Sequence, residues 1–465
     1  MEEKEERKAG RKKFWFGFLA GVLTTAFLGL GIIVVAAGVW IMTVRPVQAV
    51  DQAGTEADGL NTGRIASKLT YIQTLIDKYY LQQDGEEQDM EEAEDFIYTA
   101  YVYSLGDPYS AYYNKEESAS LEEENSGEYC GIGVQISQNI KTGLITIVRV
   151  FKDSPAEEAG MLPGDIVYKV DGEPVTGEDL SLLVKNNIKG EEGTTVKIEV
   201  YRGEEAGFVE MDMRRRMVQD PTVESEMLED QIGYIAVSSF EEVTVEQFKK
   251  AVDELSSQGM EGLVIDMRNN GGGLVQSARE MADYLLADEK DGEPVEIVTF
   301  KGKGVPDSTF YCKDGHQVDI PITVLVNGQS ASSSEIFTGA MQDNGAATIV
   351  GTTTFGKGIA QGVFNMADGS SLKLTTAYYY VPSGKCIHEI GIEPDVEIEL
   401  APGLANMVEV PKDEDNQLNI AVDVITEGLE AAKSQALREN EANASEETPD
   451  ESAVQVPWET GPSEE

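Results

Sequence analysis

The chain has 465 residues, enough for two or three domains with well-buried cores, and its hydrophobic share of 41% excludes wholesale disorder. Its charge is one-sided: 84 Asp and Glu face 36 Lys and Arg, a formal net charge of −48. A field of that sign repels phosphate backbones and excludes a nucleic-acid partner.

The N-terminus predicts a membrane attachment. A short charged stretch, residues 1–13, ends in Arg11-Lys12-Lys13, and an uncharged apolar run follows from Phe14 to Val44. About 20 apolar residues span the hydrocarbon core, whereas a cleavable signal peptide carries only about 7 to 15. The run therefore reads as one transmembrane signal anchor. Basic residues before the span keep the N-terminus in the cytoplasm and place everything after it outside. The expected localisation is the cell membrane, single-pass, with a polar linker at 45–61.

A helical segment is expected over 62–125. Ile65, Leu69, Ile72, Leu75 and Ile76 recur at spacings of three and four, and a second helix from Met90 to Leu105 stops at Gly106-Asp107-Pro108. From 126 to 215, short β-branched runs alternate with turn signals. Leu144–Val148, Asp165–Val170 and Val196–Val200 read as strands of a small sheet. Ser154–Gly160 reads as a short helix, with Pro near its start and Gly at its end, and Leu180–Ile188 as a second.

Over 216–400, strand-like runs (Ile232–Val237, Gly262–Met267, Ile322–Val326, Ala347–Val350) alternate with helical ones (Val245–Ser256, Val275–Ala287, Ser332–Met341). That alternation predicts an α/β domain. A C-terminal helical region is expected over 401–433. Residues 434–465, acidic and poor in branched aliphatics, are expected to be a disordered tail.

Cys130, Cys312 and Cys386 are too few for a disulfide framework and form no CxxC pair; all three are expected to be buried small hydrophobes. His316 and His388 are the only histidines, and neither lies in a convincing catalytic motif. No metal or organic cofactor is implied.

The densest chemical signal is the stretch from Val326 to Gln361. A strand ends, small residues crowd a turn, and a helix begins near Ser332. Free amides at a helix N-terminus suit developing negative charge, so a serine there can be a nucleophile. The same Ser332-x-x-Glu335 spacing is also a capping box, in which the serine only satisfies the helix's first amides. A second cluster, Ile265–Gly273, runs a buried strand into a glycine turn that exposes backbone amides.

Ser330-Ala331-Ser332-Ser333-Ser334-Glu335, with Phe355-Gly356-Lys357-Gly358 and Gln361 beyond it, resembles the C-terminal processing peptidases, the tail-specific proteases of the S41 class. Lys357 follows Ser332 by 25 residues and Gln361 follows Lys357 by four, the family's spacing. The resemblance implies Ser332 as nucleophile, Lys357 as general base and Gln361 as the group that orients it. Ser333 stands where relatives often have alanine. The physics fits: a serine hydroxyl needs a neighbouring base, and a lysine serves when burial keeps it neutral.

By the same resemblance an oxyanion hole is formed by the amide of Gly271 or Gly272 together with that of Ser332, while Asp343 takes a structural helix-end role. Tyr129–Val134, Ser154-Pro155-Ala156 and Gly160–Asp165 look like a PDZ domain, with Gly131, Ile132 and Gly133 as the loop that captures a peptide's terminal carboxylate. The implied fold is α/β, a crotonase/ClpP-like protease core with an inserted PDZ domain, an N-terminal helical segment and one transmembrane helix. The implied partners are protein or peptide substrates with free C-termini, the membrane, and a second copy in a homodimer. A membrane-tethered PDZ adaptor and a crotonase-like acyl-transfer enzyme are the rival classes. The first would lack a competent Ser332, and the second would need an acyl-CoA site that the sequence does not display.

Overall fold

A computed structural model describes residues 60–81, 89–404 and 410–446. The expected cytoplasmic N-terminus, the anchor at 14–44, most of the linker and the end of the tail lie outside these residues. Among the described residues no helix is long and apolar enough to cross a membrane. The chain divides into two compact units, one reaching to Ser118 together with Gly362–Leu374, the other holding Ala119–Gln361 and everything from Thr375.

In the first unit, helices Thr62–Tyr79 and Met90–Tyr103 are capped by Asn61 and Asp89, whose side chains accept amides of the first turn. The expected all-helical stretch is interrupted by a strand, Ala111–Tyr113, antiparallel to Ser371–Lys373. The apolar face of Thr62–Tyr79 buries nothing, and Leu69, Ile72 and Leu75 remain exposed.

The second unit contains two sheets that matter for function. One is antiparallel, in the order Val134–Gln138, Ile145–Val150, Ile166–Val170, Thr195–Tyr201, Phe208–Arg214, with Glu173–Pro174 paired to Ile166–Val170. Period-two burial directs Ile145, Ile147, Val196, Ile198, Val200, Met211 and Met213 into one core. Ser154 caps the short helix Pro155–Glu158. The helix expected over Leu180–Ile188 forms as one α turn, Leu180–Leu183, running into a π turn, Val184–Ile188. Buried Asp165 takes a bidentate fork from Arg202 at 2.7 Å on each oxygen.

The other sheet runs Val223–Met227, Ile232–Val237, Gly262–Asp266, Ile322–Val326, Thr348–Gly351, Val396–Glu397; only the first strand is antiparallel. Ile232–Val237, Gly262–Asp266 and Ile322–Val326 are buried on both faces, so they read as continuous apolar runs, whereas the edge strand Val223–Met227 is largely exposed. Leu263, Ile265, Val324 and Val326 pack on one face beneath Phe248, Met281 and Phe337 of three helices, with Phe248 and Phe337 edge to face at 6.4 Å. Val264, Leu325 and Val350 pack on the other face, beneath Leu418, Ala421, Ala432 and Ala436. The result is a three-layer α/β core whose loops gather at the carboxyl ends of the parallel strands.

The disordered tail expected from residue 434 is corrected here. Helix Leu429–Glu446 continues through that boundary, and Ala436 is 2% exposed. Ala432 and Ala436, four apart, give a helix face that lies close against the sheet. Ala436→Glu should therefore destabilise the chain by about 2–4 kcal/mol in urea unfolding, because it buries an unpaired charge. Leu437→Glu, on the exposed side, should shift stability by less than about 0.5 kcal/mol. Equal effects would mean that this helix is not docked.

Candidate active site

The strand Ile322–Val326 delivers a turn whose small residues permit two loops to meet. Helix Ser333–Asp343 follows, and Ser332, its N-cap, has φ 58° and ψ −113°. A non-glycine residue in that region stores about 1–3 kcal/mol and persists only when its surroundings over-determine it. Those surroundings are visible. Ser330 Oγ donates to the Met267 carbonyl at 2.7 Å, Ser333 Oγ to that of Gly273 at 2.8 Å, and Ser334 Oγ to that of Asn270 at 2.8 Å. The Ala331 amide adds a bond to the Asn270 carbonyl at 3.0 Å. The serine-rich loop is laced to the glycine turn 267–273, and Ser333 supplies one of the laces.

Gly272 explains why that turn is glycine. With φ 104°, a Cβ there would lie 2.8 Å from the Ala331 carbonyl oxygen and 2.9 Å from Ser332 Cβ. Buried Asn270 shapes the turn from within, accepting the Gly272 amide at 2.9 Å and donating to the Val237 carbonyl at 2.8 Å.

Fully buried Glu335 joins this loop to the second one. Its Oε2 accepts the Ser332 amide at 2.9 Å and the Lys357 amide at 2.8 Å. Its Oε1 accepts the Gly356 amide at 2.7 Å and Thr354 Oγ1 at 2.6 Å. The peptide nitrogens of Ser332 and Lys357 thus share one oxygen atom, although 25 residues separate them. Sequence reasoning gave Glu335 only the capping-box role, and the S-x-x-E spacing did announce the first of the four bonds. Tyr379, fully buried, donates its hydroxyl to the Ser332 carbonyl at 3.1 Å. Burial, with the Glu335 charge adding to it, pushes that phenol well above its usual range, so it stays a donor. Nothing in the sequence pointed to Tyr379.

The other expected residues fall as follows. Half-buried Lys357 precedes strand Ile359–Asn365, in which Gln361 lies, and the Gln361 amide donates to Thr375 Oγ1 at 3.3 Å. The expectation that Ser332 offers its own amide to an oxyanion is not met in this conformation, because Glu335 holds that N–H. The Gly272 amide is likewise committed, to Asn270. Among the described residues no acceptor is recorded for the Gly271 amide, and the Ser333 amide, at the first helical position, has no intrahelical partner. Asp343 accepts the Ser383 amide at 2.8 Å. His316 stacks on Tyr284 with ring centroids 3.8 Å apart, and His388 packs edge-on to Tyr378. Of the cysteines only Cys312 is buried, its thiol pushed up to about 12 by burial and neighbouring carboxylates; Cys130 and Cys386 are half-buried, contrary to expectation, in strand-edge and turn positions.

Gly131 ends strand Glu128–Gly131, which pairs with Arg216–Gln219 in a separate two-stranded ribbon; Ile132 is buried, and Gly133 has φ 77° with Ser154 Cβ 2.4 Å from where its own Cβ would be. They lead into Val134–Gln138, an edge strand of the antiparallel sheet. That strand and Val184, Ile188 and Lys189 line a cleft of about 1330 Å³, which continues to Asn269, Asn327 and Gln329 at the carboxyl ends of the core strands.

Comparison with known proteins agrees with this architecture. The family model for peptidase family S41 matches residues 231–398, and that for the PDZ domain matches residues 130–212. A probable CtpA-like serine protease of Staphylococcus haemolyticus is 35% identical over 83% of this chain and 74% of its own length. The carboxy-terminal processing protease CtpB of Bacillus subtilis is 33% identical over 76% of this chain and 71% of its own. Among solved structures, a photosystem II D1 C-terminal processing protease is 26% identical over 74% of this chain and 92% of that one, with a TM-score of 0.41. The chain belongs to peptidase family S41 and is a serine protease of the carboxy-terminal processing type that carries a PDZ domain.

Proposed function

We propose that this protein is a membrane-anchored endopeptidase, working outside the cytoplasm, that recognises substrate C-termini through its PDZ domain and cleaves by a Ser-Lys mechanism. The observation that carries the mechanism is the meeting of Ser332 and Lys357 peptides on one carboxylate oxygen. Of the two histidines, His316 is stacked on Tyr284, and His388, whose backbone packs against Gly358, turns its ring edge-on to Tyr378. The apolar run from Phe14 to Val44 and the basic residues before it support the anchor and its orientation.

In this reading a substrate's terminal carboxylate meets the amides around Gly131, Ile132 and Gly133, and its last residues add a strand beside Val134–Gln138. Ser332 Oγ attacks the scissile carbonyl as Lys357 takes its proton. The oxyanion is held by the amides of Ser333 and Gly271, since those of Ser332 and Gly272 are engaged. Lys357 returns the proton to the leaving amine, and water hydrolyses the acyl-enzyme, with Gln361 restraining the lysine. The bare apolar stripe on Thr62–Tyr79 supports a homodimer formed through that helix.

Ser332→Ala and Lys357→Ala should each lower cleavage of a peptide with a free C-terminus by at least about 1,000-fold. Mass spectrometry of the products measures this, and a serine-reactive phosphonate should label the parent chain but not the Ser332→Ala variant. Retained cleavage in either variant rules out the dyad. Gly272→Ala should lower turnover by about 100-fold, because the added methyl displaces Ser332 by a good part of an ångström. Turnover at the parent rate would show that the close approach does not matter.

A further inference from the structure

We infer that Glu335 is a positioning residue for catalysis: its buried carboxylate fixes the peptide of the nucleophile, Ser332, relative to that of the base, Lys357, with Tyr379 holding Ser332 from the other side. The inference rests on the Ser332–Lys357 reading above.

A carboxylate offers about four acceptor sites. Here all four are met, by the amides of Ser332, Lys357 and Gly356 and by Thr354 Oγ1, at 2.6–2.9 Å. Capping a helix needs only the first of these. The other three reach 19 to 22 residues along the chain, to the segment that carries the lysine. Thr354 Oγ1 also accepts the Ile392 amide at 2.7 Å, and the Glu389 amide bonds the Gly356 carbonyl at 2.8 Å, so that segment is anchored to the next loop too. Ser332 itself is gripped at both ends of its peptide unit, its N–H by Glu335 and its C=O by the Tyr379 hydroxyl. A left-handed, non-glycine residue without such a grip relaxes. Relaxation rotates Oγ away from an amine that must meet it within hydrogen-bond reach.

Glutamine tests this better than alanine. It keeps the shape and opens no cavity, yet whichever way its amide turns, an NH2 faces two donors that Glu335 had satisfied. Glu335→Gln should lower kcat by about 100-fold, the typical cost of misplacing a reacting group by about an ångström. KM and the affinity of a non-cleaved C-terminal peptide for the PDZ domain should stay within about twofold, because the substrate-binding surfaces are not touched. A merely structural role would lower the folded fraction, and with it total activity, without this split between kcat and KM. Ser332→Ala is measured alongside. If that variant still cleaves, the Ser332–Lys357 reading fails; if it is dead while folded Glu335→Gln turns over at the parent rate, only the positioning role fails. Should Glu335→Gln not fold, Tyr379→Phe decides, with an expected kcat loss of about 10-fold at constant KM and a parent-like kcat overturning the proposal.

Discussion

A carboxylate buried in protein costs several kcal/mol of lost hydration unless donors replace the water. Glu335 replaces it with three backbone amides and one hydroxyl. That requirement helps organise the site, because the donors come from two loops, which the Phe355 amide also joins by its bond to the Ser330 carbonyl at 3.0 Å. Charge-assisted bonds of this kind are shorter and roughly twice as strong as neutral ones, so the carboxylate also stiffens the loops it joins. The strained Ser332 peptide is then a consequence of the network, which holds it where an isolated turn would not.

The parallel sheet supplies the other half of the explanation. Its strands end on one edge, and the turn after Asp266 and the turn after Val326 therefore lie side by side. Two turns can approach to backbone contact only if their facing residues are small. Gly272 and Gly273 on one side and Ala331, Ser333 and Ser334 on the other meet that condition, and the serine hydroxyls turn the close approach into hydrogen bonds. Larger residues at these places would separate the glycine amides from Ser332 by the width of a side chain.

Much of this could be read in the sequence, for reasons that differ by element. Ile232–Val237 and Ile322–Val326 match their expected bounds because doubly buried strands are unbroken apolar runs. The ribbon Glu296–Gly302 with Val305–Tyr311, and the long strand Ser371–Tyr380, were not anticipated; they are half-exposed and mix charged with aromatic residues, so neither periodicity stands out. The C-terminal helix was lost to the tail because alanine carries little hydrophobic signal. At the site, the family spacing brought out Ser332, Lys357 and Gln361, whereas Glu335 was legible only as a local cap and Tyr379 not at all. Their roles depend on contacts 22 and 47 residues away, which no local pattern encodes.

A net charge of −48 opposes the approach of a carboxylate, yet distance and pairing remove the conflict. At physiological salt, exposed charges are screened beyond about 8 Å, so the terminal carboxyl of a docked peptide responds to its immediate neighbours. Those neighbours in the cleft include Arg149, Lys189 and Lys412, each paired with a glutamate: Glu224, Glu123 and Glu226. Such part-exposed pairs are worth about 0–1 kcal/mol, so an incoming carboxylate exchanges one partner for another at small cost. Backbone pairing along Val134–Gln138 is indifferent to side-chain identity. On the proposed reading, then, the PDZ domain selects for the presence of a chain end, and discrimination among sequences falls to the apolar wall of Val184 and Ile188 and to the residues that must pass Ser332.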